Sequence, residues 1–389
     1  MIKNKKIFII ALIALVNMLG YGIIIPLMYG YSKKFGLSDF DNGLLFAIYS
    51  VCQFISTPII GRLSDKYGRR PLLLVSIIGT ALSFFLMAFA PNAIFLFLAR
   101  ALDGLTAGNI PVAFAVISDS TKPEERASAF GTISSAFNFG FVFGPAIAAL
   151  TVSLRPELPF IIAGVITVLA AVLTALYLPE TNTHMKEIPK GKLFDFKKLW
   201  HSLFDPQLGR LFVISLVFFF AFACAMIYGF QPFTMNVLHM TSSGNAYLFT
   251  LFGIAGLIAQ NFLVGRVSKK FGIQKSFSTG ILLTAISFLF MFLSGSVSMF
   301  AVACVILAVS NSLAQTLIPT ILSQAADPAL QGGIMGLNAS YQSIGMIFGP
   351  LAGGAIATIS ISYPFLAGSL LVLLCFWFSL NVFSGQKKE

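Results

Sequence analysis

The sequence predicts an all-α membrane protein, with 12 transmembrane helices in two pseudo-symmetric six-helix bundles. Three observations predict it. Of 389 residues, 57% are apolar and only 10% charged, against roughly a quarter charged in soluble globular chains. The apolar residues fall in long runs, each near the ~20 residues that carry a helix across ~30 Å of hydrocarbon. The second half of the chain also repeats landmarks of the first. "GRLSDKYGRR" at 61–70 returns as "GRVSKKFGIQ" at 265–274, and "GFVFGPAIAAL" at 140–150 as "GMIFGPLAGGA" at 345–355.

The first run, 7–32, is too long for the apolar part of a cleaved leader and lacks a small-x-small cleavage site, so it reads as a span. Runs at 42–62, 71–90, 92–118, 127–150 and 158–178 complete the first six. The second six lie at 208–232, 244–265, 274–294, 297–322, 332–357 and 361–383. None alternates as a barrel strand does, and a helix satisfies its own backbone polar groups inside lipid. The bundles are therefore expected at 1–179 and 208–389, joined by a polar linker at 180–207. Within the linker, "LFDFKKLWHSLF" reads as a short amphipathic helix lying on the membrane surface.

Charge supplies an orientation. Of the 25 Lys and Arg, only Lys33, Lys34 and Arg155 fall on one side, with Arg100 inside a span; the rest share the side of both termini and the linker. Basic loops face the cytoplasm, so both termini are expected there, in a multi-pass protein of the plasma membrane. The net charge of +11 then follows from topology. A solvated basic face for nucleic acid is not evident, and the expected partners are membrane lipid and a small-molecule substrate, the protein acting as a monomer. Cys52, Cys224, Cys304 and Cys375 lie in different spans, and His184, His201 and His239 in loops, a spread that suits neither a metal site nor a disulfide framework. No phosphate-binding Gly-x-x-x-x-Gly-Lys-Ser/Thr occurs, so nucleotide hydrolysis is not the expected energy source. The chain does not read as an enzyme and needs no cofactor beyond a proton gradient.

Four groups of residues carry the functional reading. At 61–70, Gly61 and Gly68 are expected to turn the chain tightly between spans, and Asp65 to pair with Arg69 as a latch that closes the cytoplasmic side. Arg62, Lys66 and Arg70 read as topology anchors. Lys269 stands where the repeat would have Asp65, so its latch is expected to be weak or absent. Gly140, Gly144 and Pro145, with Gly345, Gly349 and Pro350, form small-residue surfaces that let helices approach closely while proline loosens the hydrogen-bond ladder. The in-span amides Asn17, Gln53, Gln231, Gln260, Asn261, Asn311, Gln315, Asn338 and Gln342 are substrate-binding candidates, about half of them expected to line a cavity. Tyr21, Tyr49, Phe137 and Phe230 offer stacking walls. Asp103 is the one acid well inside a span, and Arg100 lies a turn before it on the same face. Burial opposes the charge of such a carboxyl while the guanidinium supports it, so the pair is expected to couple protons.

These motifs resemble those of the major facilitator superfamily. Gly61, Asp65, Gly68, Arg69 and Arg70 match its loop signature between spans two and three. Gly140, Gly144 and Pro145 resemble the span-five marker of its drug:proton antiporters, and Arg100, Gly104 and Gly108 the antiporters' Arg-x-x-x-Gly element. "QFISTPIIGRLSDKYGRRPLLL" and "ISDSTKPEERASAFG" are similar to the tetracycline-efflux branch, with departures: Asn17 replaces that branch's usual Asp, Gly256 its His, and span nine has no acid. The resemblance implies the major facilitator fold and proton-coupled efflux of hydrophobic or amphiphilic drugs by alternating access. The amides leave a second expectation open, a facilitator or exporter of a neutral sugar or metabolite; a third, a non-transporting receptor, would leave Arg100 and Asp103 without a task.

Overall fold

The computed structural model describes residues 5–121, 123–182, 196–206, 208–325 and 331–385. Among them there is helix and no strand. In chain order the helices are α1 (Lys5–Ile24), α2 (Met28–Lys33), α3 (Asp39–Tyr67), α4 (Arg69–Ala88), α5 (Ala93–Thr106), α6 (Asn109–Ser120), α7 (Pro123–Thr151), α8 (Leu158–Tyr177), α9 (Phe196–Ser202), α10 (Gly209–Phe222), α11 (Phe230–Asn236), α12 (Ser242–Ile258), α13 (Val264–Phe271), α14 (Ile273–Phe292), α15 (Val297–Ala325), α16 (Gln331–Ala357) and α17 (Tyr363–Gly385). Eleven described segments are long and apolar enough to cross a membrane. The remaining predicted span, 332–357, is α16, whose glycines and amides make it less apolar.

Local sequence explains the breaks. α1 stops at Ile24, just before the residue that precedes Pro26, where proline sterically disfavours helix. α5 begins behind Asn92, whose side chain accepts the Ile94 N–H at 3.1 Å. The fourth predicted span is split, with α5 ending at Thr106 and α6 starting at Asn109. Pro111 causes this, since it has no N–H for the Ala107 carbonyl and its ring crowds it. The seventh span passes through a π segment, Ala223–Gly229, between α10 and α11, where Pro232 likewise leaves the Tyr228 carbonyl without its i+4 donor. A second π segment, Ala259–Leu263, joins α12 to α13. Such segments favour functional positions.

Two expectations change. α3 continues to Tyr67, so the charged stretch 62–67 extends a helix instead of forming a loop. Gly61 lies inside α3, with open space where a Cβ would stand; it makes no turn. Gly68 alone makes it, at φ +100°, and Gly272 takes the same left-handed backbone, φ +82°, at the corresponding turn of the repeat.

The chain forms two compact units. The first is Met1–Leu37, Ile48–Leu193 and Thr241–Thr250; the second is Ser38–Ala47, Phe194–Met240 and Leu251–Glu389. In the first, α1 packs on α7 and α8, and α4 on α5 and α8, around a core that includes Ile9, Ile13, Leu73, Ile77, Val112 and Val116. In the second, α14 packs on α15 and α17, and α10 on α16 and α17. Phe230, Phe233, Phe300 and Phe365 meet there ring to ring, with centroids 5.1–5.8 Å apart. α9 is what the structure describes of the predicted surface helix; Phe196, Trp200 and Phe204 are exposed on it or just beyond, and the Tyr341 hydroxyl donates to the Leu199 carbonyl. The linker residues 183–195 and 207, Lys122 and the terminal Lys387 and Lys388 lie outside the described residues.

Candidate functional site

The predicted ion pair exists and is buried. Arg100 is 1% exposed and Asp103 7%, and Arg100 Nη1 lies 3.4 Å from Asp103 Oδ2. The i,i+3 spacing on α5 brings them to one face. The separation is longer than the 2.7–2.9 Å usual for charge-assisted bonds. A second partner shares the guanidinium, whose Cζ stands 4.2 Å from the Tyr49 ring centroid. The Gln53 amide donates to the Tyr49 hydroxyl at 3.1 Å, and Tyr21 flanks Tyr49 at 6.4 Å between centroids. Gly104 makes this approach possible, because a Cβ there would strike the Tyr49 carbonyl oxygen and Cys52; the Ser56 hydroxyl then donates to the Gly104 carbonyl at 2.8 Å. Two predicted site residues, two predicted aromatics and one predicted amide thus converge around one buried pair.

At the end of α3, Asp65 meets Arg69 at 2.6 Å, as expected. Arg69 also reaches Asp119 of α6, Nε to Oδ2, at 3.1 Å, and donates to Ser64 Oγ at 2.7 Å. Arg70 is more than a topology anchor, since its guanidinium donates to the Ala175 carbonyl on α8. Sequence reasoning missed the centre of this clasp, Glu180. Its carboxylate accepts the backbone N–H groups of Arg69 at 2.9 Å, Arg70 at 3.1 Å, and Thr181 and Asn182 at 2.8 Å each. It caps α4 from a distant segment and neutralises the positive end of that helix. Burial pushes the Glu180 carboxyl up, but the four donors together outweigh it and hold it below its ordinary value. Asn182 Nδ2 donates to the Asp65 carbonyl at 2.8 Å. Residues 180–182 therefore belong to the first unit, not to a free linker. The one legible signal was an acid directly after the sixth run.

The Gly-Pro elements pack on partner helices. A Cβ on Gly140 or Gly144 would strike carbonyls of α1, those of Leu15 and Leu19, and Pro145 Cδ lies 2.9 Å from the Cβ position of Gly22. In the second unit, the Cβ position of Gly345 is 2.7 Å from Phe220 N, and that of Gly349 is 2.6 Å from both Phe220 O and Ala223 Cβ. The Pro350 carbonyl crowds the Cβ position of Gly43.

The amides divide. Gln260 accepts from Thr316 Oγ1 at 2.9 Å, and Gln315 donates to Asn311 at 3.1 Å, four residues away on α15. Gln260, Asn261 and Gln315 are exposed; Asn261 donates to its own helix, at Leu257 O. Gln231 and Asn338 are buried. Gln231 lies within α11. Asn17 and Gln342 are half-buried, on α1 and α16, as is Phe137 on α7. A cavity of about 300 Å³ bordered by Tyr31, Lys34, Pro156 and Thr241 contains none of the predicted site residues, and its lysine lies 3.9 Å from Glu157.

Membrane-length helices, a buried ion pair within one of them and repeated Gly-Pro packing surfaces define a polytopic membrane protein. The family described as Major Facilitator Superfamily matches residues 10–262 and 213–388, and the chain belongs to it. It is 32% identical to multidrug resistance protein 1 of Bacillus subtilis, over 93% of this chain and 92% of that one. It is 29% identical to tetracycline resistance protein, class B, of Escherichia coli, over 90% and 87%. Its fold matches the crystal structure of a point mutant of the nucleoside transporter NupG, with a TM-score of 0.82 at 11% identity, covering 97% of this chain and all of the other. The protein is a multi-pass membrane transporter and not an enzyme.

Proposed function

We propose that the protein exports hydrophobic or amphiphilic drugs across the plasma membrane in exchange for protons, as a monomer with both termini in the cytoplasm. The two halves, 1–179 and 208–389, would alternate access to a path between them, the proton gradient being the sole energy source. The observation that carries this reading is the buried Arg100–Asp103 pair. A carboxyl at a 3.4 Å remove from its guanidinium is held less firmly than one in a tight pair, and its charge responds to what surrounds it. The drug class is supported by relatives named for multidrug and tetracycline resistance across nearly their whole length.

The test is Asp103→Asn in proteoliposomes. A coupling residue loses pH-driven drug flux at least about tenfold, equivalent to ~1.4 kcal/mol, while retaining exchange without a gradient. Wild-type rates of both would remove Asp103 from the mechanism. They would favour the second reading, a facilitator of a neutral sugar or metabolite. The exposed amides Gln260, bonded to Thr316, and Gln315 favour that reading, in a half whose helices α10–α17 include no Asp or Glu among their described residues.

A further inference from the structure

We infer that the break in the fourth span holds one buried water molecule in a niche formed by Asn17, Thr80, Asn109 and Thr167. The four side chains come from α1, α4, α6 and α8 of the first unit, and they border a void of about 10 Å³ with Ile13 and Ile77 among its apolar walls. A water needs about 10–15 Å³ and two to four polar partners, so the void suits one water and nothing larger.

The polar atoms show that the niche is built for a hydrogen-bonding guest. Asn109 is 2% exposed and Thr80 5%, yet Asn109 Oδ1 and Thr80 Oγ1 have no hydrogen-bond partner. Buried polar atoms rarely remain so, because each lost its hydration on burial. Thr167 donates to the Ala163 carbonyl at 2.7 Å, which leaves its oxygen lone pairs as acceptors. Asn109 owes its place to Pro111, which ends α5 and starts α6 two residues before itself. A water here donates to Asn109 Oδ1 and accepts from the Thr80 hydroxyl, satisfying both atoms with one molecule. An apolar guest satisfies neither.

Thr80 connects the water to the ion pair. Its hydroxyl lies beside the Asp103 carboxyl without completing hydrogen-bond geometry. A hydroxyl has one proton to donate, so Thr80 donates either to the carboxylate or to the water. Rotation of that single side chain would pass a hydrogen bond from Asp103 to the foot of α6. The part of this scheme that moves a proton rests on the coupling role proposed for Asp103; the occupancy of the niche does not.

The test is X-ray radiolysis of the protein in lipid nanodiscs, read by peptide mass spectrometry. Radicals born from bound water oxidise the side chains that line it. Ile13 and Ile77, 2% and 3% exposed, should be oxidised well above equally buried Phe288 of the second unit, 0% exposed. In Thr80→Val, a near-isosteric change, their oxidation should fall about fivefold, the occupancy that one hydrogen bond supports. Labelling of Ile13 and Ile77 no greater than that of Phe288 in the wild type overturns the inference, and this arm needs no variant to fold. Unchanged labelling in Thr80→Val overturns it too. The flux of Asp103→Asn is read separately, so an unlabelled niche with lost pH-driven flux removes the water and leaves the proton role standing.

Discussion

Glu180 shows how much one side chain can organise. Two of its four backbone donors, those of Arg69 and Arg70, would otherwise be unserved at the start of α4, and losing a helix cap costs about 0.5–2 kcal/mol. Glu180→Ala should therefore lower the melting temperature in nanodiscs, by roughly 2–4 °C for each kcal/mol lost. Because the folded carboxyl is held below its ordinary value of 4.5, its contribution is complete above that value and disappears as pH falls through the lower, folded one. The gap in melting temperature between wild type and Glu180→Ala should be full at neutral pH and close on acidification below about 4.5. A gap independent of pH would show that packing, not charge, is what the residue supplies. At this scale the sequence was legible where partners are close along the chain. Asp65 with Arg69, across the Gly68 turn, and Arg100 with Asp103, on α5, are four and three residues apart, and both pairs form. Glu180 was hidden because its partners on α4 lie more than a hundred residues away, and long-range contacts leave no local pattern.

Among the helices, proline and glycine did most to reshape the expected runs, and only partly as expected. Long apolar runs announced the spans, but the split at 107–108 and the π segments were not announced, because a run's hydropathy is indifferent to its hydrogen-bond register. Pro111 and Pro232 were the available clues. Glycine also means different things at different places. Gly349 lies against backbone, so Gly349→Leu should overpack α16 on α10, costing about 1–3 kcal/mol or more, and cut transport and yield together. Gly61, on the open face of α3, should accept Ala with no loss and up to about 1 kcal/mol of gain in helix propensity. Thermal unfolding of the two variants side by side checks both expectations. A benign Gly349→Leu would place its face away from any neighbour, contrary to the 2.6 Å approaches.

For the whole molecule, the repeat seen in the sequence is also a repeat of packing: α7 lies on α1 in one unit as α16 lies on α10 in the other. The duplication is unequal in chemistry. The buried Arg100–Asp103 pair and the Glu180 clasp lie in the first unit, while the described residues of helices α10–α17 include no Asp or Glu and offer amides and aromatics. If the protein couples drug to proton, cells expressing it should gain tolerance to several unrelated amphiphilic drugs, and a protonophore should abolish the gain. Tolerance that survives the protonophore, or enhanced uptake of a neutral sugar instead, would favour the facilitator. Composition and charge placement made the membrane class readable from the chain, since the bilayer constrains both. The division of labour between the units was less visible, because it depends on which polar groups face one another across helices.

The cap on α4 also sets a timetable for the newborn chain. Glu180 follows Arg69 by 111 residues. At a synthesis rate of about 5–20 residues per second, roughly 6–22 s pass before the ribosome supplies the carboxylate. During that interval the first amides of α4 have water, lipid headgroups or an insertion factor for company. Three further membrane passes must be threaded before the helix receives its own cap, so a message truncated ahead of Glu180 yields a chain whose third span is made but never closed.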